Sequence, residues 1–240
     1  MSRDSSHAGD RERVWLPVRA GGEFTAPHYD SASLLTIDIQ VDTVGAGAPF
    51  EDPDAGEMIV KASALTRAWR EAGGLIVHVV RLYEDDGSNV DRCLRDLWCS
   101  GWRALIPDTD GAELVPELKP RSNARLSSQM LLSGEVQLWS WNEAVVYKPR
   151  WSAFFNTALD GFLSSRRIDT VVVVGHLFEN SVRATLQDAT AHDLRAVAVL
   201  DAISGRVTAD SLDEVARWGV EVTTAYDVIE ALVLRHSENR

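Results

Sequence analysis

Cysteine is nearly absent from this chain: Cys93 and Cys99 are the only two in 240 residues. Six positions apart, they do not share a helical face, and they make up neither a zinc set nor a disulfide framework. They read as two ordinary thiols. Lysine is as scarce, since the 24 basic side chains are three lysines (Lys61, Lys119 and Lys148) and otherwise arginine. Long apolar runs are missing as well. None approaches the roughly 18 residues that span a bilayer, and the first residues lack the apolar core of a signal peptide. A cytoplasmic protein is therefore expected. Positive charge is in deficit, with 24 basic against 36 acidic side chains and a net charge of −12. That balance argues against nucleic acid or an anionic membrane as partner. The six histidines (His7, His28, His78, His176, His192 and His236) lack metal-ligand spacing. No internal repeat or low-complexity tract appears. What remains, at 45% hydrophobic content, is enough to bury the core of one large α/β domain.

The chain is organised around residues 171–192. The run Val171–Val174 reads as a strand buried on both faces. Gly175 and five residues without apolar periodicity follow, and Val182, Leu186 and Ala189 then give a helical stripe. A strand passing through a tight turn into a helix presents a side chain at the sheet mouth and aims free amides at the same point. Ser181 sits at that junction, either as a nucleophile whose oxyanion backbone N–H groups can meet or as a helix N-cap.

In chain order, residues 1–30 are polar and aperiodic and read as an N-terminal extension, leaving 31–240 as the domain. Residues 33–40 form the first buried strand, with Asp38 near its end, where a desolvated carboxylate needs a partner or a task. Ligands of open α/β sheets bind at such strand ends. Residues 55–72 are amphipathic helix and 75–80 a second buried strand, with His78 in the core. Residues 90–142 are irregular and hold Trp98, Trp102, Trp139 and Trp141, which suits a lid or pocket wall as well as core packing or subunit contact. A short strand over 143–148 ends on Lys148, and Ser152 is a candidate cap for a helix carrying Phe155, Leu159 and Phe162. Strands over 196–202 and 220–223 alternate with helices over 210–218 and 226–235. This alternation predicts a mostly parallel, doubly wound sheet.

Three strand ends thus carry Asp38, Lys148 and Ser181. Together with Leu34–Gln40, Lys148–Phe154, Thr157, Leu159, Val173–Gly175, Arg183–Thr185, Asp188, Ala189 and Leu200–Ser204, they make the chain resemble the isochorismatase-like, or cysteine hydrolase, superfamily. The resemblance implies a three-layer α/β/α fold and hydrolysis of C–N bonds in amides, ureido compounds and lactams by an Asp-Lys-Cys triad. In that chemistry lysine lowers the thiol pKa and aspartate shuttles the proton. The oxyanion donors implied are the amides of Leu177 and Ser181, with a cis peptide between His176 and Leu177. Nicotinamidase-type relatives carry an Asp-x-His and a second histidine after the first strand. Residues 41–73 have no histidine, so no catalytic metal and no cofactor are expected.

The departure is Ser181, where the family has cysteine. Three readings stand side by side: an introduced Cys→Ser change that traps substrate, a serine nucleophile with Asp38 as general base, and direct acid–base action of Asp38 with no covalent step, as in vinyl-ether cleavage by isochorismatases. A non-catalytic binding or scaffold protein is the alternative of another class. Against it, a dead site has no reason to keep one of three lysines at a strand end. The substrate is expected to be a small molecule surrounded by Arg81, Tyr83, Asn89, Trp151, His176 and Phe178, which cluster at the same strand ends and turns. The expected assembly is a homodimer or homotetramer.

Overall fold

The structure, a computed structural model, describes residues 20–50 and 52–238; residues 1–19 of the expected extension lie outside the described residues. The elements run β1 (Ala32–Ile37), α1 (Val41–Val44), α2 (Ala55–Glu71), β2 (Leu75–Val80), α3 (Arg95–Cys99), α4 (Ser128–Leu132), β3 (Gln137–Ser140), β4 (Glu143–Tyr147), α5 (Leu159–Ser165), β5 (Thr170–Gly175), α6 (Arg183–Ala191), β6 (Arg195–Ile203), α7 (Ala209–Arg217), β7 (Glu221–Thr223) and α8 (Ala225–Glu238). The seven-stranded sheet has the order β3-β4-β2-β1-β5-β6-β7, parallel throughout except for the antiparallel β3–β4 pair. Among the described residues no helix is long and apolar enough to cross a membrane.

The continuous apolar runs are strands covered on both faces. Alternate residues of β1 part company: Leu34 packs with Ala62, Leu65 and Trp69 of α2 and Val228 and Leu232 of α8. Leu35 and Ile37 join Leu159 and Leu163 of α5, Leu186 and Ala189 of α6 and Val215 of α7. Each such buried aliphatic side chain contributes roughly 1.5–3 kcal/mol, and the two helical layers fix the register of the central strands. The chain leaves β1 toward β2 and β4 and later crosses back to β5 on the other side. β1 therefore stands at the switch point of the sheet, where a crevice opens at the carboxyl ends.

One close approach sets that crevice. Gly175 ends β5 with φ +129°, and a Cβ there would lie 2.2 Å from the Ile37 carbonyl oxygen. The backbones run so near that the His176 N–H donates to the same Ile37 oxygen at 2.9 Å.

Three expectations change. β1 stops at Ile37, because Asp38 turns into the left-handed region at φ 52°. The helix expected near Ser152 starts only at Leu159, since left-handed Asn156 (φ 51°) interrupts it. Ser152 caps no helix, and its Oγ accepts from Phe154 N at 3.1 Å. The stretch 90–142 contains the edge strand β3, and its four tryptophans divide. Trp98 and Trp102 build an edge-to-face aromatic cluster with Phe50 and Tyr83. Trp139 packs against His78 in the core, and Trp141 is exposed under Arg166.

Candidate active site

Asp38, Lys148 and Ser181 are each brought in by a separate device. The Asp38 N–H donates to Val79 O at 2.9 Å, while Thr43 Oγ1 donates to the Asp38 carbonyl. Gln40 ties the ends of β1 and β2 together: its Nε2 donates to Arg81 O at 2.9 Å and its Oε1 accepts from Arg81 N at 2.8 Å. Lys148 extends the ladder past β4 by donating its N–H to Val80 O at 3.0 Å. Ser181 lies in one π-helical turn, Phe178–Val182, ahead of α6. Its carbonyl accepts from Thr185 Oγ1 at 2.7 Å, and that hydroxyl accepts from Ala153 N at 3.0 Å, joining the two segments that carry Ser181 and Lys148. Such π turns are rare and often found at functional sites.

The three side chains meet. Lys148 Nζ lies 2.7 Å from Asp38 Oδ2 and 3.0 Å from Ser181 Oγ, and Ser181 Oγ donates to Asp38 Oδ2 at 2.6 Å. Ser181 therefore does not act as a helix cap; its hydroxyl is committed to the carboxylate. All three are buried, Lys148 completely. Burial lowers the Lys148 pKa from 10.5 to about 8, helped by nearby Arg81 and opposed by Asp38. The ammonium is thus the main form at neutral pH, and a neutral amine is within reach just above it. Asp38 Oδ1 is buried without a hydrogen-bond partner among the described residues, an arrangement that calls for an explanation.

Beside this trio lies a cavity of about 120 Å³ whose walls include Asp38, Ser181, Leu177, Arg81, Tyr83, Trp151 and His176. The His176–Leu177 peptide is cis, and Leu177 and Ser181, the implied oxyanion donors, both face this space. Arg81 and Asp91 form a buried ion pair at 2.7 Å, and Tyr83 Oη donates to the same Asp91 oxygen at 2.8 Å. Burial pushes the Tyr83 phenol well up and holds the His176 imidazole below its usual value, against the pull of Asp38 and Asp52. His176 Nδ1 lies 3.0 Å from Ser204 Oγ.

Two of the residues expected around a substrate stand elsewhere. Phe178 is buried in the core beneath α6 together with Val182 and Leu186. Asn89 braces its own loop, with Nδ2 donating to Leu82 O at 2.9 Å and to Tyr147 Oη at 3.1 Å, and Oδ1 accepting from Glu84 N at 2.9 Å. Sequence reasoning missed Thr43, Phe50, Asp91, Leu105 and Asn180, which also line the cavity. Of these Asp91 carried a readable signal, an acid ten residues after Arg81 in the loop that follows β2. Among the described residues no group of three or more potential ligands could hold a metal ion.

Comparison with known proteins adds the family. The sequence matches the isochorismatase domain over residues 32–128 and 126–227. The chain belongs to the isochorismatase family. Among solved structures of this family it is similar to an isochorismatase family protein from Desulfovibrio vulgaris, with TM-score 0.71 and 29% identity, covering 85% of this chain and 98% of the other. Among curated relatives it is similar to a "probable inactive nicotinamidase" of Arabidopsis thaliana, 26% identical over 212 residues, 86% of this chain and 99% of that protein. It is also similar to the N-carbamoylsarcosine amidase of an Arthrobacter species, 27% identical over 177 residues, 73% of this chain and 60% of that protein.

Proposed function

We propose that this isochorismatase-family protein hydrolyses a C–N bond in a small amide, ureido compound or lactam, with Ser181 as nucleophile, Asp38 as general base and Lys148 as electrostatic partner. One observation carries the reading: Ser181 Oγ donates to Asp38 Oδ2 at 2.6 Å while Lys148 Nζ stands 3.0 Å from that serine hydroxyl oxygen. A serine hydroxyl is too weak an acid to exist as a populated anion, so its proton must leave as the bond forms. In the first step Ser181 Oγ bonds to the carbonyl carbon and its proton passes to Asp38. The Lys148 ammonium stabilises the charge that develops on Oγ, and the Leu177 and Ser181 amides receive the carbonyl oxygen. The C–N bond then breaks, and the amine departs with the proton held on Asp38. Water, deprotonated by Asp38, opens the acyl ester, releasing the acid and restoring Ser181.

A second reading draws on Asp38 Oδ1, the oxygen with no partner among the described residues. In it Asp38 exchanges a proton with the substrate directly, as vinyl-ether cleavage requires, and Ser181 only orients the carboxylate. The named amidase relative favours the first reading. Turnover of one active substrate by four proteins separates the two. With a covalent step, Ser181→Ala abolishes turnover and Ser181→Cys retains or raises it, because Lys148 can hold a thiolate near neutral pH. With direct chemistry, both Ser181 variants stay within a small factor of the original rate and only Asp38→Asn is inactive. Full activity in Asp38→Asn defeats both.

A further inference from the structure

The catalytic cavity has an outer neighbour. An open recess of about 410 Å³ lies against it, with Trp151 and Phe155 as its large side chains and Arg92 and Arg150 among its walls. Asp91, Cys93 and Trp151 line both spaces. The recess therefore adjoins the site across these shared walls. Trp151 and Phe155 are 44% and 50% exposed, large aromatic surfaces left in water. Their outward aim is built into the segment after Lys148. Phe154 turns inward and stacks on His192 at 4.9 Å, so the next side chain, Phe155, points out. Arg150 Nη1 donates to Asn89 O at 3.0 Å, fixing this segment to the loop after β2 across the recess.

Size and charge divide the work between the two spaces. The inner cavity, at about 120 Å³, is below the roughly 300–1,000 Å³ usual for a small-molecule site, whereas the recess falls within that range. Inside, two carboxylates, Asp38 and Asp91, are matched by Lys148 and Arg81, and burial disfavours a charged His176. A neutral amide or ureido head suits this small, balanced interior, and the recess has the room for the rest of a larger substrate. Outside, Trp151 and Phe155 offer flat apolar faces.

We infer that the recess is a substrate subsite and that the substrate has two parts: a neutral carboxamide or ureido head in the inner cavity, and a planar apolar group, such as an aromatic ring, resting on Trp151 and Phe155. A short flexible tether passes between Trp151 and the Asp91–Cys93 side. The inference rests on the proposed amide chemistry for the identity of the head, so its test reads binding apart from turnover.

The probes are butyramide and 4-phenylbutyramide, titrated by calorimetry into the full-length Ser181→Ala protein. The phenyl amide is expected to bind roughly 10-fold or more tightly than butyramide, the scale that burial of part of one ring supplies. Adding Phe155→Ala, a residue that lines the recess and not the inner cavity, should remove most of that preference and leave butyramide affinity unchanged. Phe155 is a half-exposed aromatic, so folding is not at stake, and circular dichroism checks it. Equal affinity of the two amides, absence of phenyl-amide binding, or a preference that survives Phe155→Ala overturns the subsite. So does a Phe155→Ala change that alters only the oligomeric state, which would make the recess an interface between copies. Turnover of the two amides by the unaltered protein is scored separately: its failure counts against the proposed reaction, while the calorimetry still decides the subsite.

Discussion

Glu143 and Asp38 are both buried carboxylates on the same sheet, yet their surroundings are completed differently. Glu143 is met on both oxygens. Arg70 approaches Oε2 through Nε at 3.0 Å and Oε1 through Nη2 at 2.6 Å, and His78 Nε2 lies 2.9 Å from Oε1. The other ring nitrogen of His78 is 2.7 Å from Thr36 Oγ1, so the chain of contacts runs from Arg70 to a buried hydroxyl. Burial would raise the Glu143 pKa, but hydrogen bonds and charge from His78 and Arg70 bring it down to about 2. Asp38 has two partners on Oδ2 and none among the described residues on Oδ1, and a cavity lies beside it. A buried network that satisfies all its members holds a structure; one left open toward a cavity has an acceptor to spare for a ligand.

The strongest way to break this comparison is to remove a carboxylate or hydroxyl from each network. Ser181→Ala is expected to lower turnover by about 10³-fold or more with the melting temperature unchanged or raised, because reactive sites are commonly held at some cost to stability. Glu143→Ala should do the reverse. Leaving Arg70 and His78 without their acceptor is expected to destabilise the fold by about 3–5 kcal/mol, while the rate per folded molecule stays within a small factor. Denaturant titration and kinetics on the same samples read both numbers. If Glu143→Ala damages turnover without unfolding, the division between the networks is wrong.

Proton titration sharpens the contrast with smaller effects. Turnover that depends on the Lys148 ammonium should fall by up to about tenfold per pH unit above about 8, visible in a kcat–pH profile. The Lys148 value lies below the ordinary 10.5, so charging this side chain opposes folding at low pH and the opposition fades as pH rises from about 8 to 10.5. Glu143 has the opposite sign. Its folded-state value of about 2 lies below the usual 4.5, so its stabilisation is complete above about 4.5 and disappears as pH falls toward 2. Glu143→Gln should flatten that acid limb in thermal melts and leave the alkaline limb of activity alone. The smallest effect is expected for Thr36→Val, about 1 kcal/mol for the lost hydrogen bond to His78, without change in the kcat–pH profile.

The central strands were legible because β1, β2 and β5 are buried on both faces and so read as unbroken apolar runs. The meeting of Asp38, Lys148 and Ser181 was legible because they follow β1, β4 and β5 at the edge where open sheets bind ligands. The edge strand β3 was not, since only Trp139 of its four residues is buried and no alternation survives. Phe178 was misplaced by reading the turn as loop. The steps of four from Phe178 to Val182 to Leu186 already put it on the core face. The pairing of Arg81 with Asp91 joins the end of one strand to a loop ten residues later, a contact no periodicity encodes.

Gly175 gives the site its bite. Any side chain there drives its first carbon against the Ile37 carbonyl, and the chain can yield only by parting β1 from β5. Those two strands are the jaws on which Asp38 and Ser181 are mounted, so a wedge at their hinge opens the 2.6 Å contact between them though neither residue is altered. Gly175→Ala is therefore expected to lower turnover together with Ser181→Ala, read in the same kinetic assay. The gauge that sets the spacing of the trio is a position bearing no functional group, and any transplant of these three side chains to another scaffold has to carry that gap along with them.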